Sequence, residues 1–156
     1  MNRNLKTASF KCGPDYIDPM FHSRVIGTKS RNLDTFFTGE DRTRSLLAKN
    51  AAGYDIAVME GVMGYYDGVA GTTTKASAYD LASTTDTPVI LIVNSRGMSV
   101  SLAAYVKGFL EYKKDSHIRG VIFNQMSPML YPRMKVLLEE ELSIKVLGYV
   151  PKWRTV

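Results

Sequence analysis

Five short apolar runs, spread along the whole chain, constrain its fold more than any other feature. They are "LKTASFKC" (residues 5–12), "DIAVME" (55–60), "PVILIVN" (88–94), "IRGVIFN" (118–124) and "KVLGYVP" (145–151). Each is continuously apolar rather than alternating, the pattern of strands covered on both faces. Helical patterns fill the gaps. "GEDRTRSLLAKNAAG" opens on acids and closes on Gly53, as helix termini prefer. "TTKASAYDLASTTD" and "SVSLAAYVKGFLEYKK" follow, the second with apolar groups at three- and four-residue spacing. "SPMLYPRMKVLLEEEL" offers Ser127 as a cap and Pro128 for its first turn, and Ser99 is expected to cap the helix near Val100. Strand and helix alternate from end to end, so an α/β fold with a parallel sheet flanked by helices is expected. With 156 residues, no linker and no internal repeat, residues 1–156 read as a single domain.

Composition narrows the partners. No apolar run reaches the length of about 18 residues that spans a bilayer, and "MNRNLKTASF" lacks the apolar centre of a secretory signal. The lone cysteine, Cys12, forbids an internal disulfide and suits a reducing, cytoplasmic setting. A net charge of +5 is mild and its basic residues are scattered. It reads first as a solvated basic surface, with anionic ligands such as nucleotides or polycarboxylates as the alternative, and no nucleic-acid motif is present.

In parallel sheets, ligands sit beyond the carboxyl ends of the strands. That rule places the loops after Cys12, Glu60, Asn94 and Asn124 on a common rim. The first of these loops, "FKCGPDYIDPMFH" (10–22), carries Lys11, Asp15 and Asp18, more charge than a turn needs. The second, "MEGVMGYYDGVAGTTT" (59–74), puts Glu60 at a strand end and Asp67 in a glycine-rich stretch where backbone can approach a ligand closely. Several carboxylates with one lysine fit Mg²⁺ and a phosphoryl group. The string G-x-x-x-x-G-K-S/T, which cradles phosphates in P-loop proteins, does not occur. Cys12 reads as a small core residue rather than a nucleophile, Met59, Met63 and Met98 as gap-filling residues, and His117 as a surface residue.

Four stretches, "FKCGPDYIDPMFH", "SRNLDTFF" (30–37), "EGVMGYYDG" (60–68) and "NSRGMSVSLAAYVKGF" (94–109), resemble the cobyrinic acid a,c-diamide synthases. These are ATP- and glutamine-dependent amidases of the cobalamin pathway, related in fold to dethiobiotin synthetase. The resemblance runs over essentially the whole chain, in order and spacing. It implies a P-loop NTPase-like synthase domain that here begins at its second strand. The first strand with its P-loop, and the glutamine amidotransferase domain that supplies ammonia, are then expected outside these residues. Because that first strand lies inside the sheet of the family, uncovered strand edges and self-association of the chain are expected too.

The resemblance also implies roles. Asp15 and Glu60 take Mg²⁺. Lys11 reaches the phosphates of ATP or an acyl phosphate, while Asp18 and Asp67 stand on the substrate side and complete the catalytic set. Tyr16, His22, Arg31 and Tyr65 face the corrinoid, with Tyr66 as a second candidate beside Tyr65. For Arg31 the alternative is a salt bridge to Asp34. Asn124 reads adenine through its amide, or stabilises a turn; Asn94 and Arg96 shape their own loop. The substrate implied is cobyrinic acid, with hydrogenobyrinic acid and nickel-sirohydrochlorin as alternatives bearing the same acetate arms. A non-catalytic corrinoid-binding module is the competing reading.

Overall fold

In the computed structural model, which describes residues 3–153, the expected strands form and all their pairings are parallel. The chain divides into two units, residues 1–87 and 88–156, each with its own three-stranded sheet among the described residues.

The first unit is built around β1 (Thr7–Cys12), with β2 (Ser30–Leu33) on one side and β3 (Ile56–Glu60) on the other. Phe10, Cys12 and Ala8 bury themselves with Leu33 and with Leu81 of α3 (Ala78–Thr85). Leu46 and Leu47 of α2 (Thr35–Ala51) pack against that core. Strand β2, "SRNL", was not announced by any apolar run: only its ends, Ser30 and Leu33, are buried, and Arg31 and Asn32 between them are exposed. Two further elements also lacked a signal, a five-residue helix α1 (Ile17–Phe21) and the π-helical turn His22–Ile26 that continues it.

Helix α2 is longer than the apolar periodicity indicated, and it is broken. Gly39 sits at φ 67°, ψ 172°, outside helical space. The residues after it are those whose acids and periodicity were legible. The short piece before it is capped by Asp34, whose carboxylate accepts the Phe36 N–H at 2.7 Å. Thr43, fully buried, ties the break together by donating to the Gly39 carbonyl at 2.6 Å.

In the second unit β5 (Ile118–Asn124) lies between β4 (Val89–Asn94) and β6 (Lys145–Val150). Leu102 and Val106 of α4 (Ser101–Glu111) and Leu138 of α5 (Tyr131–Leu142) join Val121 and Phe123 in its core. Both helices begin later than their sequence signals. Ser99 and Ser127 contribute backbone carbonyls to the turns ahead of the helices, to the N–H groups of Leu102 and of Leu130 and Tyr131. Neither side chain caps, and the proline in the first turn of α5 is Pro132. His117, expected at the surface, is buried: its backbone N–H bonds the Asp115 carboxylate at 3.0 Å in the turn before β5.

One sequence-based expectation needs correcting on both sides of the division. Continuous apolar runs implied strands covered on two faces, yet β3 exposes Ile56 and Val58, and β4 exposes Ile90 and Ile92. No helix among the described residues is long and apolar enough to cross a membrane.

Candidate active site

The parallel register of β1 and β3 sets Lys11 directly beside Glu60. The turn after β1 supplies two more carboxylates. Oδ1 of Asp15 accepts the N–H groups of Ile17 and Asp18 at 2.9 and 3.3 Å, and this folds the chain back over the strand end. Lys11 is only 3 % exposed, and its ammonium is surrounded. Nζ donates to Asp18 Oδ2 at 2.5 Å, and Glu60 Oε1 and Asp15 Oδ2 stand at 3.4 and 3.9 Å. Burial disfavours the Lys11 charge, but the hydrogen bond to Asp18 and the charges of Glu60 and Asp18 outweigh it, so its pKa lies above the ordinary value. The hydrogen bond from Lys11 in turn holds Asp18 below the usual carboxylate range. Next along the strand, burial pushes the Cys12 thiol up to about 11, which fits a core residue and not a nucleophile.

His22 enters the same cluster. Its Nε2 lies 2.9 Å from Glu60 Oε2, and its Nδ1 lies 2.8 Å from the Ser9 hydroxyl and 3.3 Å from that of Ser30. Of the residues singled out in the sequence, Lys11, Asp15, Asp18, Glu60 and His22 thus come together as one charged group.

Asp15 and Tyr16 also border a cavity of about 690 Å³. Its walls are largely apolar. Ile17 comes from α1, Phe36 and Phe37 from the first turn of α2, and Val62, Met63 and Val69 from the glycine-rich loop. Asp67 lines this cavity as well, its carboxylate lying against Gly64. The loop holding it crosses itself closely. Gly68 donates to the Thr73 carbonyl at 2.9 Å, and a Cβ there would lie 2.1 Å from the Lys75 carbonyl oxygen, so only glycine fits. Asp80 fastens the far end of the loop, accepting from the Ala76 N–H at 2.8 Å and from the Thr35 hydroxyl at 2.7 Å.

Other candidates lie apart from the charged group. Arg31 borders a second, smaller cavity of about 380 Å³ with Tyr16 and Arg24; it donates to the Ser30 carbonyl and forms no ion pair with Asp34. Tyr16 is 77 % exposed between the two cavities. Tyr65 is 7 % exposed and belongs to an aromatic cluster with Tyr66 and Tyr79, at ring distances of 4.8 and 6.0 Å. Asn124 ends β5 in the second unit opposite Asn94, where its backbone carbonyl accepts from the N–H and hydroxyl of Ser95. Asn94 Oδ1 accepts the Arg96 N–H, so these two do shape their loop.

The sequence reading missed the apolar wall. Met63, taken as a core residue, is exposed on the cavity, and Phe36 and Phe37 pack edge to face at 5.1 Å beside it. Adjacent phenylalanines two residues beyond a helix-capping Asp34 were the available signal, because a first helical turn cannot bury both rings in one core.

The chemistry of the donor set suits Mg²⁺, which binds one or two protein carboxylates together with phosphate and water oxygens. Among the described residues no three His, Cys, Asp or Glu side chains converge to hold a metal unaided. Oδ2 of Asp15 and Oε1 of Glu60 border the same Lys11 ammonium, at 3.9 and 3.4 Å.

Comparison with known proteins adds a second line of information. A family profile described as AAA domain matches residues 29–156. The cobyrinate a,c-diamide synthase of Caldanaerobacter subterraneus is 40 % identical over 153 residues, covering 97 % of this chain and 34 % of that protein. The synthase of the same name from Thermoplasma volcanium is 43 % identical over 152 residues, 97 % of this chain and 33 % of that protein. That from Saccharolobus solfataricus is 42 % identical over 152 residues, 97 % and 34 % respectively. The chain therefore spans about a third of the length of the curated relatives it matches. No solved structure gives a significant match.

Proposed function

The chain belongs to the AAA-domain family, whose profile spans residues 29–156, and from that premise we propose that it is the ATP-dependent synthase portion of a cobyrinate a,c-diamide synthase. The reaction proposed is amidation of the a and c acetate carboxylates of cobyrinic acid. A carboxylate oxygen attacks the γ-phosphorus of ATP, ADP departs, and an acyl phosphate forms. Ammonia released from glutamine by an amidotransferase domain then attacks the acyl carbon, and phosphate leaves with the bonding electrons.

The observation that carries this reading is the buried Lys11 ammonium, ringed by three carboxylates, at the edge of a cavity whose walls are apolar. A flat macrocycle with acid arms needs both surfaces: aromatic and aliphatic walls for the ring, and a charged corner where one arm reacts. Lys11 is set to meet phosphate or acyl phosphate oxygens. Asp18 holds that ammonium in place, and Asp67 faces the arm to be amidated. Tyr16 and Phe37 border the ring, and Arg31 takes a carboxylate that does not react. Mg²⁺, when bound, would be held by Asp15 and Glu60 and supplies charge neutralisation at the phosphates.

Calorimetric titration of the chain with cobyrinic acid and, separately, with Mg-ATP tests the reading. Saturable binding of cobyrinic acid is expected, weakened about tenfold, or about 1.4 kcal/mol, by Asp67→Ala and by Phe37→Ala. Cobyrinic acid binding that neither substitution affects would reject the cavity as its site. Binding of cobyrinic acid without any of Mg-ATP would support the cavity as the corrinoid site and leave the nucleotide role of Lys11 unsupported.

A further inference from the structure

His22 joins the charged group through Glu60, whose other oxygen faces Lys11, and it lines neither cavity. Three parallel strands contribute its partners. Ser9 and Ser30 are register neighbours on β1 and β2, both buried, and their hydroxyls converge on Nδ1 at 2.8 and 3.3 Å. Glu60, at the end of β3, places Oε2 2.9 Å from Nε2. A carboxylate only accepts, so Nε2 carries a hydrogen, while Nδ1 shares its hydrogen bond with the serine hydroxyls, Ser9 at 2.8 Å and Ser30 farther off at 3.3 Å. Every polar atom of the ring is then satisfied by a partner fixed to a strand.

The effect falls on Glu60. Its side chain is 48 % exposed, and a half-exposed glutamate without partners samples several rotamers. Here Oε2 is held by His22 and Oε1 faces Lys11 at 3.4 Å, so both oxygens have an assigned direction. We propose that His22 is a positioning residue: clamped by Ser9 and Ser30, it orients the Glu60 carboxylate toward Lys11 and the phosphate-side ligands. The same logic holds in metal sites, where a hydrogen-bonded partner behind a ligating group fixes its orientation. This inference rests on the reading of Glu60 as a Mg²⁺ ligand, and it assigns His22 to Glu60 rather than to the corrinoid.

Two readouts on the ligand-free chain decide it. The first is nuclear magnetic resonance of the His22 ring and of the Glu60 side-chain couplings. The wild type is expected to show the Nε2–H tautomer and a single Glu60 rotamer. His22→Ala should average that rotamer, and His22→Gln, whose amide N–H can replace Nε2–H, should restore it. A simple packing role would not produce that difference, since both variants are checked for an unchanged backbone spectrum. The second readout is titration with Mg²⁺ alone. His22→Ala is expected to raise the half-saturating concentration on the order of tenfold, with recovery in His22→Gln. An ordered Glu60 in His22→Ala, an Nδ1–H tautomer, or an unchanged Mg²⁺ affinity would each overturn the proposal. A wild type that orders Glu60 through His22 yet binds no Mg²⁺ supports the positioning and instead removes the metal assignment of Glu60.

Discussion

Lys11 shows how a single side chain can be both buried and charged. Its depth alone would push the amine toward neutrality, and the Asp18 and Glu60 carboxylates reverse that preference. The same contact works in the other direction on Asp18, whose depressed pKa follows chiefly from the hydrogen bond with Lys11. We therefore expect Lys11→Met to raise the Asp18 pKa toward the ordinary 3.8, as read by carboxyl carbon resonances across an acid titration. The sign for stability follows. A carboxylate whose folded pKa is lowered stabilises the fold above its unfolded pKa, and that contribution is lost as pH falls through the folded value. Wild type should thus lose stability on acidification below about pH 4 more steeply than Lys11→Met. Equal acid slopes for the two proteins would contradict the assignment.

The break in α2 is the clearest case of an element shaped for a site rather than for regularity. Gly39 adopts φ 67°, ψ 172°, a conformation essentially confined to glycine. It lets a short first turn, capped by Asp34, point Phe36 and Phe37 at the cavity while the remainder of the helix packs Leu46 and Leu47 on the core. Gly39→Ala is expected to cost about 1–3 kcal/mol in urea unfolding, and to weaken cobyrinic acid binding through displaced phenylalanines. Unchanged stability would mean that the turn can be rebuilt without strain. Elements with a strong period were legible in the sequence, and those that bend the chain around the site were not. Residues 118–124 were placed as a strand because apolar side chains announce burial. Strand β2 and the π-helical turn are polar and short, and their formation depends on hydrogen bonds to β1 and within residues 22–28. Local propensity carries no record of such partners. The charged corner of the site was visible because a lysine and three carboxylates are conspicuous at strand ends. The apolar wall was invisible, because Met63 and Phe37 look like core residues until the fold shows which way they face.

Across the whole chain the two sheets share one peculiarity, an unpaired edge strand with apolar residues in the open. Among the described residues β3 of the first unit pairs only with β1 and exposes Ile56 and Val58, and β4 of the second pairs only with β5 and exposes Ile90 and Ile92. Open edges with apolar faces are templates for association. Sedimentation velocity is expected to show self-association that grows with concentration, and Val58→Lys or Ile92→Lys should shift the distribution toward monomer. A wild type that stays monomeric at every concentration tested would sink this expectation.

The Lys11 corner and the Phe37 wall are made by different means, and that has a consequence for change over time. The lysine of the charged corner is written into a central strand, where Ser9, Phe10, Lys11 and Cys12 are all buried. The wall is written into a helix turn and a loop whose side chains stand largely in solvent, so they can be exchanged with little structural penalty. Drift and selection can therefore redraw what the cavity admits while the Lys11 corner stays fixed. A directed-evolution campaign that randomises residues 36, 37, 62 and 63 alone has the material to change which ligand the cavity admits.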